Sequence, residues 1–142
     1  MNAQTSMFTG EQMSGNGNQT NMLDQINATE DRIRELKRTP HIFWNDPGHG
    51  WMEVQKADLI MLQISNKISG FSYQDGDQAY LEEDCDAGIY LKALFGDKLM
   101  DNPEFQTFRT QCIIDRYQEN IFVRRLSHYK PFMHRPNKSD RK

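Results

Sequence analysis

A small α+β domain is the fold class this sequence predicts: an antiparallel sheet of about four strands in two hairpins, packed helices, and an added N-terminal amphipathic helix. Three observations carry that expectation. Dense turn chemistry, Asn45-Asp46-Pro47-Gly48-His49-Gly50, separates two short apolar runs; Asp75-Gly76 separates two more; and stretches with helical spacing follow each pair.

Residues 1–20 are almost all Met, Asn, Gln, Ser, Thr and Gly, with Phe8 the one large aromatic. Such a composition buries too little apolar surface to offset about 1–2 kcal/mol of backbone ordering per residue, so a flexible tail is expected. From Asn21, Leu23, Ile26, Ile33 and Leu36 recur at helical spacing among Asp24, Glu30, Asp31, Arg32, Arg34 and Glu35, and Thr39-Pro40 ends the run. An amphipathic helix over 21–39 follows. Its narrow stripe suits packing on the domain, a partner, or a second copy of itself through residues 21–38.

The α+β domain is placed at 40–130. His41-Ile42-Phe43-Trp44 and Trp51-Met52-Glu53-Val54 read as the first hairpin, and Lys56–Ile64 as a short helix. Ile68–Tyr73 and Gln78–Glu83 read as the second hairpin, because glycine after Asp75 supplies the positive φ of a primed turn. Asp84 is positioned to cap a helix beginning near Cys85 and ending at Gly96. Asn102-Pro103-Glu104 opens another, with Phe105, Phe108, Cys112, Ile113 and Tyr117 on one face. Residues 120–129 fit helix or strand, and helix is preferred. A basic flexible tail occupies 131–142.

Composition narrows the class of function. The chain has 142 residues, 37% hydrophobic and 26% charged, which is enough for one domain. No apolar run or basic-then-apolar opening supports a membrane span or a secretory signal, so a cytoplasmic setting is expected. Only Cys85 and Cys112 occur, in no metal-binding or disulfide pattern, and both read as buried thiols. The net charge of -3 is too small to argue for or against nucleic acid. Signatures of the familiar hydrolases and nucleotide enzymes are absent from the sequence.

Four groups of residues are candidates for chemistry. Asp46 and His49 share one tight loop and suit a metal or a proton relay, with His41 and Glu82 as further metal ligands. The favoured alternative is plainer: Asp46 makes an Asx-type turn bond and His49 covers Trp51. Glu82-Glu83-Asp84 with Asp86, flanked by Asp75 and Asp77, is the densest acidic cluster. Strand alternation points Glu82 and Asp84 one way and Glu83 the other, so they cannot all reach one ion. Structural and surface roles lead there, ahead of metal binding or imitation of nucleic-acid phosphate toward a basic partner. Tyr73, Tyr80 and Trp51 would form an aromatic platform if one sheet face were uncovered. The cations Arg124, Arg125, Lys130 and Arg135 are the candidates for nucleic-acid phosphate.

Three segments also carry a resemblance. Trp44–Val54, Lys67–Tyr73 and Ala79–Asp86 are similar to a family of small phage and plasmid (mobile-element) proteins. The shared features are an Asp-Pro-Gly-His-Gly-Trp turn, an Ile-Ser-x-x-Ser-Tyr strand and a Tyr-Leu-Glu-Glu-Asp segment. It spans about residues 41–95 and implies a genomic setting rather than a reaction.

The leading expectation is therefore a non-catalytic accessory protein of a mobile element that binds a bacterial host protein, plausible as an inhibitor of a defence factor. Its contact residues would be Asp46, His49, Trp51, Asp75, Asp77, Glu82 and Glu83. No cofactor is expected. The alternatives are a metal-dependent hydrolase or nucleic-acid-processing enzyme, and a nucleic-acid-binding protein using the basic C-terminal segment.

Overall fold

The computed structural model describes residues 13–131. The expected tails therefore lie outside the described residues over 1–12 and 132–142, as does Arg135. The chain divides into two units at Glu35 and Leu36.

The described residues of the first unit, up to Glu35, are all helical and belong to α1, Met13–Leu36. It begins eight residues before the expected start at Asn21, since Met13–Thr20 continue the helix despite two glycines. Met22, Leu23 and Ile26 are exposed along it. Arg32 donates to Glu35 at 2.9 Å and Arg34 pairs with Asp31, both one turn apart.

The second unit is α+β, with six strands rather than four in one mixed sheet. Its elements are β1 (His41–Asn45), β2 (Gly50–Gln55), α2 (Lys56–Met61), β3 (Tyr73–Asp75), β4 (Gln78–Glu82), α3 (Ala87–Phe95), α4 (Pro103–Gln111), β5 (Ile113–Tyr117) and β6 (Ser127–His128). The strand order is β5-β1-β2-β4-β3-β6. Both expected hairpins form, β1 with β2 and β3 with β4. Gly76 has φ of +60° at the first central position of the second turn, while Asp77 is not in the positive region, the pattern of a type II′ turn.

Three expectations fail for reasons of tertiary context. Ile113–Tyr117 leaves the helix and pairs parallel with β1, His41 opposite Ile113 and Asn45 opposite Tyr117. Parallel pairing needs a long crossover, which no local pattern announces. Residues 122–125 form a single 3-10 turn and 127–128 add β6 beside β3, so the preferred helix over 120–129 is absent. Ile68–Ser72 is an ordered loop rather than strand, and β3 starts only at Tyr73. Asn102 behaves as its sequence suggests, its Oδ1 accepting from the Phe105 backbone N–H at 3.0 Å with Pro103 opening α4.

Alternation and register sort the sheet into two faces. One carries Phe43, Met52 and Ile113 toward Leu91, Phe105 and Phe108 of α3 and α4. The other carries Trp44, Trp51, Tyr80 and Tyr73, and the segment around Ile121, Phe122, Val123 and Leu126 packs on it. The aromatic platform is thus covered: Trp51 is 2% and Tyr80 6% exposed. Burial, with Glu53 and Asp75 nearby, pushes the Tyr80 hydroxyl up to about 12.

Gly50 marks a close approach. A Cβ there would lie 2.5 Å from Cε2 of Phe43 and closer still to Cζ. Gly50→Ala should cost about 1–3 kcal/mol by overpacking. Urea denaturation checks this, and Phe43→Ala in the same chain should recover part of the loss through direct coupling.

Candidate functional site

The site lies at the end of the sheet where the β1–β2 turn, the C-terminal end of β4 and the 3-10 segment meet. Asp46 holds the turn: its Oδ1 accepts from the backbone N–H groups of Gly48 and His49, each at 2.9 Å. This is the Asx-type bonding favoured from the sequence. The same carboxylate accepts from Arg124 Nε at 2.6 Å and Arg124 Nη2 at 3.2 Å, a bidentate pair. Arg124 in turn lies over the Trp51 ring, 5.0 Å from its centroid. Asp46 is therefore spent on structure and does not join a metal site.

The Arg124 guanidinium, helped by the two backbone N–H groups against the opposing effect of burial, holds the Asp46 carboxyl well below its ordinary value near 3.8. A depressed carboxyl contributes stability above its unfolded value and loses it as pH falls toward its folded value. Arg124 is 44% exposed on its side chain, so solvent screening limits the pair to about 1 kcal/mol. Asp46→Asn should lose that amount at pH 7, and the difference from wild type should shrink below about pH 4. Urea titrations at several pH values check it; a difference that grows on acidification contradicts the pairing.

Glu82 ends β4 with its side chain 9% exposed. Its Oε1 accepts from the backbone N–H groups of Asp84 at 3.0 Å and Cys85 at 2.9 Å, and Oε2 faces His49 Nδ1 at 3.3 Å. The chain turns there because Asp86 N–H returns to the Glu82 carbonyl at 2.8 Å. Asp84 consequently does not cap α3; Asp86 holds the N-cap position without a side-chain cap bond. Instead Asp86, 1% exposed, accepts from Ser69 N–H, from Ser69 Oγ at 2.7 Å and from Ser72 Oγ at 2.5 Å. Ser72 Oγ accepts from Glu82 N–H at 2.9 Å. One buried carboxylate thus fixes both the loop that carries Phe71 and the strand end that carries Glu82.

His49, Trp51, Phe71, Tyr73, Glu82, Asp84, Cys85 and Arg124 line an open cavity of about 280 Å³. His49, Glu82 and Asp84 each offer a donor atom to it, all within 4.8 Å of one another. Cys85 is exposed rather than buried, and Cys112 half-buried; neither lies in a helix. A hydrogen bond to Glu82, with neighbouring carboxylates adding to it, pushes the Cys85 thiol up, away from the reactive thiolate. A second, shallower hollow opens beside the first, lined by Asp46, His49, Glu83, Asp115 and Tyr117 among others.

The expected contact residues separate. His49, Glu82, Glu83 and Asp46 come together, whereas Asp75 and Asp77 sit at the other end of β4, where Asp77 accepts from Lys56 N–H at 2.8 Å. Trp51 and Glu82 are buried and offer no flat contact surface. His41 is on the opposite sheet face, 5% exposed, its Nε2 2.7 Å from Tyr90 Oη and its Nδ1 2.8 Å from the Thr39 carbonyl. It is no ligand of the His49 cluster. Arg124 is engaged with Asp46, and Arg125 and Lys130 are exposed beyond it.

Phe71, Cys85 and Arg124 are the site residues that sequence reasoning placed elsewhere. Asp84 was read in the acidic cluster beside Glu82, but by strand alternation, whereas it lies in the turn beyond the end of β4. Among the described residues no helix is long and apolar enough to cross a membrane. No family model, curated protein or solved structure matches the chain.

Proposed function

We propose that this chain is a mobile-element accessory protein that acts by binding a bacterial protein, a host-defence factor in the first instance, through a basic surface of that partner. One observation carries the reading: Asp46, Glu82, Glu83, Asp84 and Asp115 line the two adjoining hollows, with Arg124 the one Lys or Arg among their lining residues. Arg124 already serves Asp46, so carboxylates outnumber cations along this concave surface, with Arg109 a further cation, in a third hollow that Glu83 and Asp115 also line. Phe71, 69% exposed at the rim, adds the aromatic anchor that interfaces favour. The resemblance to phage and plasmid proteins supports the genomic setting and nothing finer.

The split of the acids supplies an internal control. Charge reversal at Glu83 and Asp115 should abolish capture of a specific partner from bacterial lysate and weaken the reconstituted complex about tenfold or more. Reversal at Asp75 and Asp77, at the far end of β4, should leave capture intact. Equal recovery by both variants and wild type would remove the reading, and loss only with the far-end variant would move the contact surface there.

A further inference from the structure

We propose that His49, Glu82 and Asp84 form a binding site for a divalent transition-metal ion, Zn²⁺ in the first instance. The three come from two segments that pair in register: Trp51 stands opposite Glu82, so the residue two before Trp51 meets the end of β4 and the turn beyond it. Their donor atoms lie within 4.8 Å of one another, a spread that a single ion can bridge with small side-chain rotations.

The electrostatics leave a positive charge missing. Glu82 is buried, and two backbone N–H groups orient its Oε1 as supporting bonds orient a metal-binding carboxylate. Its Oε2 faces His49 at 3.3 Å, longer than the roughly 2.7–2.9 Å of a charge-assisted bond, and the carboxylate also takes a hydrogen bond from the Cys85 thiol. The Asp84 carboxylate, exposed beside it, accepts no hydrogen bond and joins no ion pair among the described residues. Arg124, the cation of the cavity, is held by both oxygens of Asp46. Two carboxylates and an imidazole are thus kept together by the backbone, with His49 the one basic side chain facing Glu82.

Trp51, 2% exposed, lines the same cavity, and its indole N–H is a buried donor with no acceptor among the described residues, a partner that buried donors nearly always have. The donor set selects the metal: an imidazole with two carboxylates suits Zn²⁺ or Mn²⁺, whereas Mg²⁺ and Ca²⁺ prefer oxygen throughout. Three protein ligands leave at least one position open to water, and the cavity's 280 Å³ has room for it. Glu83 and Asp115, which face the neighbouring hollow, stay available to a partner, so the site does not depend on the protein-binding reading.

Calorimetric titration of the metal-free full-length protein with ZnCl₂ tests the proposal. One equivalent should bind to wild type. His49→Ala and Asp84→Asn should each weaken that binding about tenfold or more, and Glu83→Gln should bind as wild type does. MgCl₂ at the same concentration should give no saturable heat. The melting temperature should rise with Zn²⁺ in wild type and in Glu83→Gln, but not in Asp84→Asn, whose exposed side chain holds nothing else. Absence of stoichiometric Zn²⁺ binding overturns the proposal, as does binding that survives in His49→Ala and Asp84→Asn. Because these measurements use the isolated protein, they can fail while partner capture succeeds, and the reverse.

Discussion

Asp86→Ala is expected to destabilise the second unit by about 3 kcal/mol, the largest effect of any single polar substitution at the site. The side chain is 1% exposed and accepts from Ser69 N–H, Ser69 Oγ and Ser72 Oγ. Alanine leaves those donors buried around a small void. Asp86→Asn, which keeps the shape but turns half of the acceptor into a donor, should fall between alanine and wild type. Asp84→Ala, two residues away and exposed, should change stability by less than about 0.5 kcal/mol. Urea denaturation of the three variants measures the series. The effect should also reach function, since Ser72 Oγ carries the Glu82 N–H and the Ser69–Ser72 loop carries Phe71. Equal midpoints for Asp86→Ala and Asp84→Ala would contradict the buried network.

Phe108→Ala should cost about 3–5 kcal/mol, the transfer and cavity terms of a fully buried aromatic. Phe108 is 1% exposed, and its ring meets His41 at 5.1 Å, Phe95 at 5.2 Å and Phe105 at 6.4 Å between centroids. It therefore joins α3, α4 and β1 across one sheet face. Phe108→Leu, closer in volume, should cost about 1.5 kcal/mol or less. The size of the alanine effect, read from denaturant midpoints at unchanged slope, tests whether α4 packs on that face; a loss below about 1 kcal/mol would place it elsewhere.

Such features differ in how far they could be read in advance. The Asn45–Gly50 and Asp75–Gly76 turns, the Asn102-Pro103 helix start and the Asp46 turn bond all depend on residues within a few positions of one another, and each is found where local chemistry put it. Misplaced features depend on distant partners. Cys112 ends a helix only because His41 N–H reaches its carbonyl at 2.7 Å and draws Ile113 into the sheet beside β1. Arg124 was one cation in a basic stretch, with no sign that Asp46, 78 positions earlier, would hold it.

Short-range spacing alone determined the α+β class, the two hairpins and the tight Asp46 loop. Turn residues and side-chain alternation act over a few bonds and need no partner to be legible. Tertiary structure alone decided that β5 closes the sheet in parallel, that residues 121–126 bury the aromatic face, that the acids divide between the two ends of β4, and that His49 meets Glu82 and Asp84 around one cavity. Those outcomes follow from which strands pair and in what register, a choice made by the free energy of long-range packing across the whole domain.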